Sequence, residues 1–172
     1  MNQRVWGQHP PVTPMLTGFV INTIESLLNW RYVMNTKTKG NVGELLVMLK
    51  ASERGYTVCV PYGDNDRYDL VLDLNGVFSR VQVKYITPVN GKITLQTWTV
   101  IHNKDGTGPK YKRCRYSSAD VDLFAVVNAS THEVYMIPTT EIEHLSAVTL
   151  RVTSEVTLRK SEKARDANQY KW

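Results

Sequence analysis

Apolar side chains recur at helical spacing twice early in the chain and at strand spacing through most of its remaining length. Ile21, Ile24, Leu28 and Tyr32 predict a helix over residues 19–34, after a proline-rich start. Val42, Leu45, Leu46 and Leu49 form an apolar stripe that predicts a second helix over 41–54, with Gly55 placed as its C-cap glycine. A short basic connector, 36–40, separates the two. Residues 56–60 read as a strand closed by Pro61. Residues 67–74 and 77–85 flank Asn75-Gly76, a strong short hairpin signal because both turn positions need positive φ. Residues 92–101 predict a further strand, 103–109 a loop, 121–128 and 133–137 a strand pair, and 139–145 a short helix. From Ser161 the chain is polar and charged, either helical or disordered. This order implies a mixed α/β chain around a small, partly antiparallel sheet.

A two-residue turn at Asn75-Gly76 fixes the hairpin register. Leu74 then faces Val77, Leu72 faces Ser79, Leu70 faces Val81, and Asp69 faces Gln82. Opposed residues share a face, so Tyr68, Leu70, Leu72, Leu74, Val77, Val81 and Val83 form a core face. The other face carries Asp69, Val71, Asp73, Phe78, Arg80, Gln82 and Lys84. A carboxylate, an amide and an ammonium on one patch suit phosphodiester cleavage. A hard cation such as Mg2+, held by carboxylate and carbonyl oxygens, neutralises phosphate charge. The Gln82 side-chain oxygen and the Val83 backbone carbonyl are both suitable ligands, and Lys84 can orient or deprotonate water. The competing reading is a solvated sheet face. A one-residue bulge would break the register and separate Asp69 from Gln82.

Composition narrows the class. The 172 residues suffice for one sizeable core. No apolar run approaches the roughly 20 residues that span a bilayer, and no signal pattern opens the chain, so a cytoplasmic protein is expected. Cys59 is expected to be buried in a strand and Cys114 to be incidental; neither has a zinc-site or disulfide spacing. His9, His102, His132 and His144 show no ligand spacing. Turn chemistry explains Asp64-Asn65-Asp66. The net charge of +5 suits an acidic partner. Lys110, Lys112, Arg113 and Arg115, with Tyr111 and Tyr116 interleaved, are the leading DNA-backbone candidates, and Lys37 and Lys39 precede the second helix. Gln96, Trp98 and Thr99 could read base edges.

Several of these residues also resemble a known family. Gly40-Asn41-Val42-Gly43-Glu44, Gly55-Tyr56, Val60-Pro61-Tyr62-Gly63, Tyr68-Asp69-Leu70 and Arg80-Val81-Gln82-Val83-Lys84-Tyr85 resemble, in order and spacing, the PD-(D/E)XK nuclease superfamily. The resemblance covers about residues 37–142. It is strongest to the small homing endonucleases associated with group I introns and more distant to archaeal Holliday-junction resolvases. It implies a restriction-endonuclease-like α+β core, with a mixed central sheet and an antiparallel hairpin flanked by helices. It makes Asp69 the central metal-binding aspartate, Lys84 the motif lysine and Glu44 the helix glutamate completing the metal site. Gln82 stands where the superfamily usually has an acid, a variation some intron-associated members share, and Tyr68 replaces the usual proline. Glu44 has a second reading, as the N3 partner of an Asn41 N-cap.

The expected organisation is an N-terminal extension with one helix (1–36), a nuclease core (37–150) and a basic C-terminal tail (151–172). The expected activity is Mg2+-dependent endonucleolytic cleavage of double-stranded DNA, sequence-specific and of the intron-homing type, with Mn2+ able to substitute. Cutting both strands usually needs two active sites, so a homodimer or homotetramer is expected. The alternatives are a junction-resolving or repair nuclease of the same fold, and a non-catalytic DNA-binding protein. No sequence feature excludes RNA cleavage.

Overall fold

The computed structural model describes residues 34–63, 66–102, 109–153 and 163–172. Asn35–Trp172 form one compact unit. Apart from Met34, the helix expected over 19–34 lies outside the described residues, as do Asp64, Asn65, His9 and the loop at 103–108.

Helix α1, Thr36–Glu53, starts five residues before the expected one. Asn35, not Asn41, is its N-cap, with its side chain accepting from Thr38 N at 2.8 Å. This satisfies one orphan N–H of the first turn, and Gly40 is carried in the helix interior at a modest cost. The expected end is present. Gly55 at φ +75° lets its own N–H reach Ser52 O and the Tyr56 N–H reach Ala51 O, both at 3.0 Å, the two bonds of a Schellman motif. The buried face differs from the stripe read off the sequence. Gly43, Val47 and Ala51 are buried, whereas Leu45 and Leu49 are 62% and 56% exposed. Small residues at i, i+4 and i+8 let the helix approach the sheet closely, so the larger leucines fall on its outer side.

Ten strands come after it among the described residues. Strands β1 (Thr57–Cys59), β2 (Leu70–Leu74), β3 (Val77–Ile86), β7 (Leu123–Asn128) and β8 (Val134–Pro138) form one sheet in the order β1-β2-β3-β7-β8. The β3–β7 pair is parallel and the others are antiparallel. The hairpin register agrees with the arithmetic from Leu70–Val81 to Leu74–Val77. Asn75 and Gly76 take the positive φ values the turn requires, 58° and 89°. One sheet face packs Leu70, Leu72, Val81 and Val83 against Val47 and Ala51 of α1. The other packs Phe124, Val126 and Ile137 with Ile93, Leu95, Val148 and Leu150. These last belong to a second sheet, β10-β9-β4, built from Lys92–Gln96 (β4), Ala147–Arg151 (β9) and Ala164–Asp166 (β10).

Some expectations are corrected. Val77 is 64% exposed because it sits at the hairpin tip, and Cys59 is exposed on the short edge strand β1. The single strand expected over 92–101 is two. It breaks at Thr97, fully buried, whose hydroxyl donates to Leu145 O and whose carbonyl accepts from Tyr116 N at 3.0 Å. There the chain leaves β4 and enters a two-stranded ribbon of β5 (Trp98–His102) and β6 (Tyr111–Arg115). The short helix expected at 139–145 is a 3-10 turn over Thr139–Glu141. At the C-terminus β10 pairs in parallel with β9, and the Trp172 ring stacks on Tyr56 at 6.3 Å with the Arg54 guanidinium 4.8 Å from its centroid. No helix among the described residues is long and apolar enough to cross a membrane.

Arg80 ties β3 to the start of β7. Its guanidinium bonds Asp122 Oδ1 at 2.9 Å and Oδ2 at 3.0 Å, and its backbone N–H bonds Oδ2 at 2.8 Å. The guanidinium holds the Asp122 carboxyl below the usual carboxylate range, against burial and aided by that backbone N–H. A depressed folded pKa contributes stability above the unfolded value of about 3.9, lost as pH falls through the folded pKa. The melting-temperature advantage of wild type over Asp122→Asn should therefore be full at neutral pH and shrink below about pH 4. A gap that stays constant down to pH 3 would remove the ion pair from the explanation.

Candidate active site

The site forms where β2 begins. Asp69 precedes Leu70, and its amide donates to Val81 O at 2.9 Å, one residue off the ladder register. The ladder therefore stops at Leu70–Val81, the one-residue departure that sequence reasoning held would separate Asp69 from Gln82. Side chains restore the contact. Asp69 Oδ2 accepts from Val83 N at 2.7 Å and from Gln82 Nε2. The carboxylate takes the place a β2 backbone carbonyl would have held. The N–H and C=O of one strand residue point the same way, so the Val83 carbonyl also faces this edge. The Gln82 amide meets it at 3.4 Å.

Gln82 and Lys84 do not lie on a solvated sheet face. Gln82 is only 6% exposed. Lys84 Nζ lies 5.6 Å from the Tyr116 ring centroid, and that ring is buried edge-on against Phe124 at 5.4 Å. Glu44 approaches from the other side of the sheet, on α1. The N-cap at Asn35 places it mid-helix, so the capping-box reading falls. A Cβ at Gly43 would stand 3.0 Å from Tyr85 Cβ and 3.2 Å from Val83 Cγ1, so a glycine there is what brings α1 close to β3. Glu44, Asp69, Asp66, Tyr68, Val60, Pro61 and Gly63 line one cleft of about 210 Å³.

The electrostatics are unfavourable for each charge. Burial raises the Asp69 pKa, opposed by the Val83 N–H, Lys84 and the Gln82 amide. Burial and then Asp69 raise Glu44. Burial lowers Lys84, against the pull of Asp69. Two part-buried carboxylates near each other are disfavoured as a charged pair, and a cation between them would relieve both. The donor set is two carboxylates, one amide and one backbone carbonyl, all oxygen-bearing groups that suit a hard divalent ion. Among the described residues no three His, Cys, Asp or Glu side chains gather closely enough to hold a metal by themselves, as the amide at position 82 implies.

Residues 34–172 match the family model described as PD-(D/E)XK endonuclease. The chain belongs to that family. Its fold is restriction-endonuclease-like, mixed α+β around a mixed central sheet. PD-(D/E)XK nucleases generally use divalent metals. Protein 5.3 of Escherichia phage T7 is 38% identical over 88 residues, 51% of this chain and 69% of that protein. A bacterial homing endonuclease, I-Ssp6803I, shares the fold at a TM-score of 0.62 and 23% identity, over 80% of this chain and 89% of its own.

In this PD-(D/E)XK nuclease Asp69, Gln82, Lys84 and the Val83 carbonyl meet at one fork with Glu44 beside them, and the basic candidates lie elsewhere. Lys37 and Lys39 are exposed on the first turns of α1; Lys110, Lys112, Arg113 and Arg115 run along the β5–β6 ribbon. Sequence reasoning missed Arg67 and the role of Tyr116. The Arg67 guanidinium lies 4.9 Å from the Tyr116 centroid and donates to Cys114 Sγ at 2.9 Å and Arg115 O at 2.7 Å. These contacts span more than 45 residues, and no local pattern signals them.

Proposed function

We propose that the chain is a divalent-metal-dependent DNA endonuclease, with Mg2+ as its ion and Mn2+ able to substitute. It acts in the cytoplasm on double-stranded DNA, as a sequence-specific enzyme of the homing type and as a homodimer or homotetramer. The carrying observation is the fork at Asp69, where a carboxylate bonded to Val83 N and to Gln82 neighbours Glu44 and the Lys84 side chain. Asp69, Glu44, the Gln82 side-chain oxygen and the Val83 carbonyl would hold the ion. When bound, a divalent cation neutralises charge on the scissile phosphate and acidifies water. Lys84 does the proton work. Its burial favours the neutral amine, so Nζ can accept a proton from the attacking water and then, as ammonium, face the charge developing on phosphorus. The Gln82 amide and the Val83 N–H orient Asp69 toward the cleft. Lys37, Lys39 and Lys110 supply sequence-independent backbone affinity.

Supercoiled plasmid incubated with Mg2+ should be nicked and linearised, and EDTA should stop both. A four-way junction assayed beside linear duplex separates a junction resolvase from a homing enzyme. Failure to cut plasmid, junction or single strand with either Mg2+ or Mn2+ would sink the proposal.

Gln82→Glu restores the acid common in the superfamily and should separate stability from metal affinity. The variant loses the amide donation to Asp69 and sets a third carboxylate beside it. Loss of a hydrogen bond to a charged group costs about 2 kcal/mol, or about 5 °C in melting temperature for a domain this size. The melt without divalent ion should drop accordingly, while Mn2+ affinity by calorimetric titration should rise about tenfold for the added charged ligand. Weaker Mn2+ binding in the variant would take position 82 out of the metal site.

A further inference from the structure

The β5–β6 ribbon has two chemically different faces. Its register sets Trp98 opposite Arg115 and Val100 opposite Arg113, so these four share one face, while Thr99, Ile101, Lys112 and Cys114 share the other. The Cys114 face turns toward the active site, since Arg67 bonds Cys114 and lies over the Tyr116 ring that also neighbours Lys84. The opposite face opens on a pocket of about 320 Å³ lined by Trp98, Arg113, Arg115 and Ser146.

The lining of this pocket is one-sided in charge. The Arg113 guanidinium lies 4.4 Å from the Trp98 ring centroid, which holds its plane. Arg115 donates to Ser146 Oγ at 3.0 Å and to His144 O at 3.5 Å, both neutral acceptors. Arg67, Arg80, Arg151 and Arg165 each meet a carboxylate. Among the described residues Arg113 and Arg115 meet none. Two guanidiniums converging without a counter-charge repel one another, and each keeps N–H donors in the fork geometry that fits a phosphate.

We infer that this pocket binds a backbone phosphate of the DNA, away from the scissile bond, gripping the duplex on the ribbon face that looks away from the catalytic lysine. The inference rests on the reading of the chain as a DNA nuclease. Arg113 and Arg115 supply the charge, Ser146 a hydroxyl donor, and Trp98 the surface that fixes Arg113. Such a contact carries affinity and salt dependence but no sequence information.

Binding is measured without divalent ion, so no cleavage occurs, by anisotropy of a fluorescein-labelled duplex over a salt series. Arg113→Gln and Ser146→Asp should each weaken binding about tenfold at physiological salt, and Arg113→Gln should lower the slope of log Kd against log salt by about one. Arg113→Lys, which keeps the charge, should recover most of the slope. Wild-type tryptophan emission should change on adding duplex, and Trp98→Phe should lose that change. Thermal melts matching wild type confirm that each variant is folded. Variants with wild-type affinity and slope overturn the inference while leaving the nuclease reading intact. An emission change with inorganic phosphate but not with duplex also overturns it, since the pocket would then serve a free anion. A wild-type protein that binds no DNA removes both readings together.

Discussion

Lys84→Ala is expected to lower the single-turnover rate of DNA cleavage by about a thousandfold, within the range for loss of a positioned proton-transfer group. The expectation comes from where the amine sits. Its Nζ is held beside the Tyr116 ring and the Asp69 carboxylate, and burial favours the neutral form that can accept a proton. Lys84→Arg separates the two roles of the side chain. A guanidinium keeps the charge but stays protonated at all working pH values. If proton acceptance matters most, arginine should be nearly as inactive as alanine; if charge matters most, arginine should recover a large part of the rate. An alanine variant cutting within tenfold of wild type would show that Lys84 is not in the chemistry.

The second large effect is at Gly43. Glycine to alanine inside a helix ordinarily stabilises by about 1 kcal/mol. Here the sign should reverse. The new methyl would meet Tyr85 Cβ at 3.0 Å and Val83 Cγ1 at 3.2 Å. Tyr85 Cβ is fixed to its backbone, so α1 itself must move. Overpacking of this kind costs about 1–3 kcal/mol, which meets or exceeds the propensity gain. Gly43→Ala should thus lose up to about 2 kcal/mol, and Gly43→Val should lose more because a β-branched residue adds bulk and has lower helix propensity. Since Glu44 is the next residue, the same displacement should carry its carboxylate away from Asp69 and lower activity beyond what unfolding explains. Urea denaturation with parallel rate measurements checks both effects. A Gly43→Ala variant more stable than wild type would show that α1 does not depend on this close approach.

The parts of the structure legible in the sequence are those fixed by local geometry. The Asn75-Gly76 turn sets the β2–β3 register from Leu74–Val77 to Leu70–Val81 because only residues tolerant of positive φ fit there, and that brings Asp69 to the edge where its carboxylate, not the ladder, takes up the Val83 N–H and the Gln82 amide. Gly55 marks the end of α1 for the same reason. The start of α1 was less legible, because Asn35 and Asn41 are both competent caps and only the Thr38 amide decides between them. The buried face of α1 was hidden because close packing selects the small residues Gly43 and Ala51 over Leu45 and Leu49. Strand β6 was hidden because its side chains are almost all charged or exposed, leaving no alternation to read. The Tyr116 wall over Lys84 and the Arg67 bridge to β6 are contacts between distant segments, which no window of sequence contains. Resemblance to the nuclease superfamily supplied Glu44; packing at Gly43 explains why it stands where it does.

The position of a bound Mn2+ ion, located by its anomalous scattering in crystals of the protein with a duplex oligonucleotide, tests the central claim most directly. The ion should lie about 2 to 2.5 Å from an Asp69 carboxylate oxygen, with Glu44, Gln82 or the Val83 carbonyl among its other ligands. An ion more than about 3 Å from both Asp69 oxygens, beyond normal metal–oxygen distances, would contradict it.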